Sequence, residues 1–504
     1  MTLEQNLVEM ERAREHYWRA YPQSSPCKLR WRALTVRHSF HVLPGESILE
    51  IGAGGGLWTR ELARVFRNEN EITAVVFNAD LADNQDWEAI PGVSKRVIQS
   101  LDELPAESFD YVVGTAILCH DRYAQTLKAI LRLLKPGGQI MFFENNLGNP
   151  QVFLKSMVPA IGRWTGNARC QIGISKYHFL RTASQQGFID IDVIPYDIVH
   201  PLLPRAVVPF VQSIAFVFEH APVIRSLCGT LYLWARKPGG SNDRPAVNLA
   251  RHPMFHRAVS FVVPCHNEEM NIASLTSAIF KHFDDYVHEI LIVDDNSTDR
   301  TAEVTRAVSQ REPRVRLLQR SPPNGVGRAL RDGYAAATGS YILTMDSDFV
   351  QIIPEIRDLF EAVADGYDGA IGSRFTHESI MVNYPFLKII ANRLFHLLAR
   401  LALPLPFHDV SNNLKLYRAD ILKNLKLRQD HFAANAETGL KPIMLGYRIK
   451  EVPVSWINRT VDMGTSSFRT LKVGPSYAQA LWDVVRSSRD LSRNATKNAA
   501  SSVR

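Results

Sequence analysis

Cysteine is scarce in this chain. The five in 504 residues, Cys27, Cys119, Cys170, Cys228 and Cys265, are scattered, odd in number and never spaced C-x-x-C. Neither a zinc ligand set nor a disulfide framework is indicated, and a reducing, cytoplasmic setting is expected. Long apolar runs are also missing. The two most apolar stretches, 206–218 and 394–407, fall short of the roughly 20 residues a spanning helix needs and are broken by proline and polar residues. That excludes spanning and leaves peripheral contact with a membrane surface open. The opening MTLEQNLVEMERAREHYW is charged and helical in character, without the apolar core of a signal peptide. No array of aromatics interleaved with basic residues is present, so nucleic acid is not an expected partner. Charge of one sign does not dominate either. Lys and Arg number 58 against 51 Asp and Glu, a net +7 that suits phosphates on nucleotide ligands or on a membrane surface.

What is present is ordinary globular material, 46% hydrophobic and 22% charged, in a chain too long for one domain. Residues 237–253, KPGGSNDRPAVNLARHP, have no hydrophobic period and read as a linker. On each side short β-rich runs alternate with helical stretches, the pattern of α/β domains with largely parallel sheets. Before the linker the strands are SILEIGA (47–53), ITAVVF (72–77), FDYVVGTAI (109–117), QIMFFE (139–144), IDIDVI (189–194) and GTLYLWA (229–235). After it they are VSFVVP (259–264), EILIVDD (289–295), VRLLQR (315–320) and SYILTMD (340–346). The division expected is a helical segment 1–39, a domain 40–238, a linker 239–256, a second domain 257–475 and a tail 476–504.

The run 48–56, ILEIGAGGG, ends a strand and opens a helix. Glycines there let the backbone turn sharply and approach a ligand at the helix N-terminus. The segment Leu134-Lys135-Pro136-Gly137-Gly138 follows, with a strand behind it. Together these resemble class I S-adenosylmethionine-dependent methyltransferases over residues 40–238. The resemblance implies a Rossmann-like fold in which Glu50, Gly52, Gly54 and Gly56 hold the methionine part of the cofactor. Two positions depart from the family. Val76 stands where an acid usually grips the ribose, with Asn78 and Asp80 nearby. Ser100 stands where an acid often reads the adenine, with Asp102 two residues on. The cofactor-binding set is therefore Glu50, Gly52, Gly54, Gly56, Asp80 and Asp102, and His120 is a candidate general base. Methyl transfer and a binding or docking module without turnover both remain open for this half.

The second half carries more pieces in order: Pro264-Cys265-His266-Asn267-Glu268-Glu269, Asp294-Asp295-Asn296-Ser297-Thr298-Asp299, Asn324-Gly325-Val326-Gly327, Asp346-Ser347-Asp348 and Gly372-Ser373-Arg374-Phe375. Transfer of a glycosyl group from a nucleoside diphosphate leaves a phosphate-rich leaving group. A hard cation, Mg²⁺ or Mn²⁺, neutralises that charge and takes oxygen ligands. An Asp-x-Asp closing an apolar strand would offer two carboxylates on one face, and arginines clamp phosphate. The set resembles family-2 glycosyltransferases of the GT-A fold, near the polyprenyl-phosphate sugar transferases, over residues 257–475. The resemblance implies that Pro264, His266, Glu268, Val293 and Asp295 line the nucleoside pocket. It implies that Asp346 and Asp348 hold metal and diphosphate, and that Arg374 and Arg459 contact phosphates. The lysine that follows the late glycine-serine in polyprenyl enzymes is missing from Gly464-Thr465-Ser466-Ser467-Phe468.

For the acceptor, Asp409 and Glu437 are the candidate catalytic carboxylates. A hydroxyl acceptor needs a base, and a polyprenyl phosphate does not. The run FLKIIANRLFHLLARLAL (386–403) is amphipathic and basic, suited to core packing or to anionic lipid. The sequence thus reads as an α/β protein, a Rossmann-like methyltransferase domain followed by a GT-A glycosyltransferase domain. Its expected partners are a nucleotide-sugar donor and a glycan or polyprenyl-phosphate acceptor; its expected cofactors are Mg²⁺ or Mn²⁺ and S-adenosylmethionine.

Overall fold

A computed structural model describes residues 2–83, 87, 90–164, 171–240, 244–349, 353–382, 384–457 and 474–486. It divides into two compact units, Met1–Pro245 and Ala246–Arg504.

The first unit is built on seven strands: β1 (Ser47–Ile51), β2 (Glu71–Val76), β3 (Val93–Val97), β4 (Phe109–Thr115), β5 (Leu134–Asn145), β6 (Ile189–Tyr196) and β7 (Thr230–Arg236). Their order is β3-β2-β1-β4-β5-β7-β6. All neighbours run parallel except β7, which is antiparallel to both β5 and β6. The strand order reverses between β1 and β4, which opens a crevice beyond the carboxyl ends of those strands, where doubly wound folds take ligands. Strand β3, VSKRV, has no apolar alternation and lies exposed at the sheet edge, held by its pairing with β2.

Two helices precede the sheet, Leu3–Ala20 and Ser25–Phe40. The first opens on a capping box. Thr2 Oγ1 accepts from Gln5 N at 3.2 Å, and the Gln5 side chain accepts from Thr2 N at 3.0 Å, which satisfies amides the helix leaves without partners. Leu7 and Met10 of this helix join the main apolar core of the unit, beside Leu49, Ile51, Ile117 and Phe142.

The second unit holds β8 (Val259–Cys265), β9 (Val287–Asp294), β10 (Val315–Gln319), β11 (Tyr341–Thr344), β12 (Gly369–Ser373), β13 (Met381–Val382), β14 (Lys415–Arg418), β15 (Ile449–Pro453) and β16 (Trp456–Ile457). Seven form one sheet, ordered β10-β9-β8-β11-β14-β12-β15, and β13 pairs with β16 separately. Within the large sheet β14 runs antiparallel to β11 and β12, and the other pairs are parallel. The strands β8, β9 and β11 end together, so the loops that follow them share one edge. An aromatic cluster packs under the sheet, with Phe360 5.0 Å from Phe255 and 4.7 Å from Tyr286, ring centre to ring centre. Among the described residues no helix is long and apolar enough to cross a membrane.

Gly369 on β12 faces Tyr417 on β14, and a methyl group there would collide with the Tyr417 ring. That ring cannot easily yield, because it is buried and its hydroxyl donates to Thr438 O at 3.0 Å. Gly369→Ala is expected to lower the stability of the second unit by about 1–3 kcal/mol, the usual cost of overpacking. Urea unfolding checks this, and an unchanged midpoint would mean that the ring moves aside.

Candidate functional site

The loops after β8 and β9 fix each other. Asn267 N donates to Ser297 Oγ at 2.9 Å, and Thr298 N donates to Asn267 Oδ1 at 2.8 Å. Glu268 N donates to Thr301 Oγ1 at 2.8 Å, and Glu269 N to Asp299 Oδ2 at 3.1 Å. The residues of two separate sequence motifs are therefore one rigid assembly. Its inner wall, with Asp346 and Asp348 from the turn after β11, borders a cavity of about 980 Å³. Pro264, His266, Glu268 and Asp295 line the same cavity. His266 Nδ1 lies 3.0 Å from Asp295 O, which fixes the ring.

The two aspartates do not sit on a strand. β11 stops at Thr344, so the Asp-x-Asp pair reaches the cavity through a turn, not through strand alternation as expected. Asn413 Nδ2 donates to Asp346 Oδ1 at 2.7 Å. Two hard carboxylate donors on one cavity wall fit Mg²⁺ or Mn²⁺. No cluster of three His, Cys, Asp or Glu suited to a metal occurs among the described residues, so Asp346 and Asp348 would hold such an ion with ligand and water oxygens completing its shell.

Val293 stands behind this wall. It pairs with Pro264 in register, but its side chain is fully buried in the apolar core and does not line the cavity. Arg459 lies outside the described residues, as do 464–468.

Arg374 follows β12, and residues 408–413 precede β14. Those strands are neighbours, so the two segments meet. Arg374 Nε donates to Asp409 Oδ2 at 2.7 Å and Nη2 to Oδ1 at 3.2 Å. Phe375 and Trp456 stand against the guanidinium, each with its ring centre 5.7 Å away. Burial works against the charge on Asp409, but Arg374 overrides it and holds the carboxyl far below the ordinary carboxylate range. Arg374 borders the cavity and Asp409 does not. A fully buried carboxylate that does not border the cavity is not placed to take a proton from an acceptor. Asp409 instead aims Arg374.

Glu437 is likewise fully buried and away from the cavity. Its Oε2 accepts from Arg428 N at 2.9 Å and Gln429 N at 2.7 Å, and its Oε1 pairs with Lys441. The loop it fixes continues to Asp430, whose backbone oxygen accepts from Gly327 N at 2.9 Å. Gly325 and Gly327 leave room for that loop, since a Cβ at either would strike the backbone of 429–430. Gly325 N in turn donates to Asp295 Oδ2 at 2.6 Å, and Arg320 pairs with the other carboxylate oxygen. Both candidate catalytic carboxylates thus position other groups.

Several cavity residues were not singled out in the sequence. Tyr384, Lys388, Asn392, Phe432, Trp456 and Trp482 line it. Lys388 and Asn392 sit on the amphipathic helix Phe386–Ala402, the one signal that pointed to them. The aromatic residues carried none.

In the first unit, Glu50 is the last residue but one of β1 and fully buried, and its Oε2 accepts from Thr59 Oγ1 at 2.6 Å. Burial pushes its pKa up to about 7. The glycine loop beyond it is filled by the first helix. Gly54 N donates to Glu11 Oε1 at 2.9 Å and Gly55 N to Glu15 Oε2 at 3.2 Å. Phe77 N and Asn78 N, at the end of β2, both donate to Glu11 Oε2, at 3.0 and 2.7 Å. Trp87 covers Gly56 and donates from Nε1 to Gly54 O at 3.0 Å. The Oε1 of Glu50 has no hydrogen-bond partner among the described residues and would suit a cofactor ammonium. The occupied amides do not suit S-adenosylmethionine, which does not fit this arrangement.

Asp80 and Asp102 face solvent in this structure. Both side chains are more than 80% exposed, paired at 3.8 Å with Arg12 and at 3.7 Å with Arg132. Each belongs to a short helical turn that leaves its side chain in solvent. His120 is fully buried, with Nδ1 accepting from Arg122 N at 3.2 Å, and burial lowers its pKa to about 4. It is a structural residue in this arrangement.

His396 makes the second unit acid-sensitive. Its Nε2 accepts from Val410 N at 2.9 Å, and Nδ1 lies 2.8 Å from Asn392 O, so the ring is held neutral. Burial lowers its pKa to about 4, although Asp409 nearby works the other way. Between pH 6.5 and 4 the unfolded chain takes up a proton there that the folded chain does not. Stability is therefore lost as pH falls through that window, by roughly 3 kcal/mol in all. Unfolding of His396→Gln across this range is expected to show a shallower pH slope than the parent chain. Equal slopes would mean that other groups govern the loss.

Comparison with known proteins follows the same division. Residues 260–426 match the family model Glycosyl transferase family 2, and residues 49–142 match the model Methyltransferase domain. A dolichol-phosphate mannosyltransferase of Pyrococcus furiosus is 34% identical over 146 residues, 29% of this chain and 41% of that protein. A polyprenol monophosphomannose synthase of Mycolicibacterium smegmatis is 25% identical over 244 residues, 46% of this chain and 87% of that protein. The chain therefore spans well under half of the first relative and most of the second. Among solved structures, a SAM-dependent methyltransferase of Thermotoga maritima, described as a possible histamine N-methyltransferase, superposes with a TM-score of 0.33 at 17% identity, covering 46% of this chain and 99% of that one. The two family models fall one in each unit, so the chain carries a methyltransferase-type domain followed by a family-2 glycosyltransferase domain.

Proposed function

We propose that the second unit transfers a glycosyl group from a nucleotide-sugar to a polyprenyl phosphate, with inversion at the anomeric carbon. The observation that carries this is the make-up of one cavity. Its lining combines His266, Glu268, Asp295, Asp346 and Asp348, from the loops after β8, β9 and β11, with Leu394, Leu398, Leu481, Trp482 and Val485, from the helix Phe386–Ala402 and helix 474–486. A ligand pair that is part nucleoside diphosphate and part hydrocarbon matches that lining. The names of the two mannosyl-transferring relatives support the same acceptor and make mannose the first sugar to try.

The acids lining the cavity among its described residues, Glu268, Asp295, Asp346 and Asp348, all sit on the loops after β8, β9 and β11, where the donor binds in this reading. Asp409 and Glu437 are buried behind other groups. This favours an acceptor that is already anionic and needs no base over a glycan hydroxyl. The acceptor oxygen bonds to the anomeric carbon as that carbon's bond to the diphosphate oxygen breaks, and the electron pair leaves with the nucleoside diphosphate. Mg²⁺ or Mn²⁺ on Asp346 and Asp348 would supply positive charge against the diphosphate. Arg374, held rigid by Asp409, presents a second fixed positive charge to the cavity. The helix Phe386–Ala402 exposes Leu387, Leu394, Leu397 and Leu401 beside Lys388, which supports peripheral contact with an anionic membrane surface where a lipid acceptor resides.

For the first unit, the filled glycine loop favours a methyltransferase-type module without turnover over an active methyltransferase.

Purified chain is to be incubated with Mn²⁺, a panel of nucleotide-sugars and vesicles holding polyprenyl phosphate, beside free glycans. One donor is expected to give a lipid-linked sugar, and Asp346→Ala is expected to lose roughly 100-fold or more in rate. Sugar found only on a glycan would overturn the acceptor reading. Turnover untouched by Asp346→Ala or by chelation would overturn the metal reading.

A further inference from the structure

Four backbone amides, those of Gly54, Gly55, Phe77 and Asn78, lie at the carboxyl ends of β1 and β2, beside the point where the strand order reverses. In a doubly wound sheet that is where a nucleotide-bearing ligand finds its donors. Here every one of them donates to a carboxylate of the first helix. Glu11 takes three and Glu15 takes one. The space the glycines leave open is filled as well. Arg14 Nη2 lies 2.8 Å from where a Cβ of Gly54 would be, and Nη1 lies 3.4 Å from that of Gly52.

Glu11, Arg14 and Glu15 stand three and four residues apart, on one face of the helix. All three are buried. Such burial is tolerated because the carboxylates receive backbone hydrogen bonds and the guanidinium lies between them. Arg14 Nη1 also reaches Thr115 O at 3.4 Å, at the end of β4 on the other side of the crevice. Leu7 and Met10 anchor the same helix in the apolar core. The helix is thus docked by apolar contacts and inserts charged side chains into the crevice.

We propose that the first helix is an intramolecular occupant of the adenosyl-cofactor crevice, competing with S-adenosylmethionine for the same four amides. This rests on reading the first unit as a methyltransferase-type domain. An occupant of this kind weakens a ligand by the fraction of time it is docked: a helix docked all but one part in a hundred raises the apparent Kd about a hundredfold. Loss of Glu11 and Glu15 removes the competing hydrogen bonds and leaves the amides to the ligand.

The test is equilibrium dialysis of S-adenosylmethionine and S-adenosylhomocysteine with the full chain, the parent beside Glu11→Ala/Glu15→Ala. A second variant, Glu11→Leu/Glu15→Leu, keeps side-chain bulk without an acceptor and guards against loss of fold, which circular dichroism checks in each protein. The variants are expected to bind at least about tenfold more tightly than the parent. Equal binding by parent and both variants would overturn the inference while leaving the methyltransferase-type reading intact. Absence of binding in all three folded proteins would overturn the inference together with the reading of this crevice as a cofactor site.

Discussion

Arg374 and Asp409 are both withdrawn from water, and neither charge is tolerable there alone. Removing one partner of such a buried pair typically costs about 3–5 kcal/mol, because the other is left without compensation. The pair also determines how β12 ends and β14 begins. Ser411 and the Arg374 amide turn toward the same carboxylate, and Asn412 Nδ2 donates to Gly372 O at 2.8 Å. Asn413, next in line, then reaches Asp346. The carboxylate that would hold a metal is therefore connected to the ion pair through a short run of side chains. Every group on that run is set before a ligand arrives.

A second line of support comes from the opposite side of the cavity. Glu437 fixes the loop before its own helix, the loop pins the start of the helix Val326–Ala336, and Gly325 at that start meets Asp295. Together with the stitched loops after β8 and β9, these contacts tie the polar wall of the cavity together. The helix Phe386–Ala402 and helix 474–486 add leucines and Trp482 to the same lining. A cross-braced polar wall and a greasy one suit a donor of fixed geometry and an acceptor with a long hydrocarbon tail.

The sequence was most legible where strands are apolar and continuous. SILEI, ITAVV and SFVVP sit near the middle of their sheets, and burial on both faces dictates their composition. β3, β12, β14 and β15 were not legible. VSKRV is an exposed edge, GAIGS is thinned by glycine for the Tyr417 ring, and KLYR hides a lysine whose Nζ donates to Asn435 O at 2.7 Å inside the unit. Much of the polar wall, from Pro264 to Asp348, was legible because it lies in loops directly after recognisable strands. The roles of Asp409 and Glu437 were not, because a sequence shows that a carboxylate is present and not which way it faces. Arg374 decides it for Asp409, from a position no local pattern connects to it, and for Glu437 the amides of Arg428 and Gln429 do so together with Lys441 one turn on. The amphipathic run at 386–403 was legible as a helix, but whether its leucines meet core, lipid or ligand depends on what lies opposite.

The glycine loop of the first unit carries a wider lesson. Its spacing leaves a backbone that something can approach closely, and in this fold the visitor is a pair of glutamates and an arginine from the same chain. Replacing Gly54 or Gly55 would then injure the protein by expelling its own helix, with no ligand involved. A mutational scan would mark these positions as intolerant whether or not a cofactor ever binds. Intolerance at a glycine motif therefore measures how tightly the backbone is approached, and the chemical nature of the approaching group must be established separately.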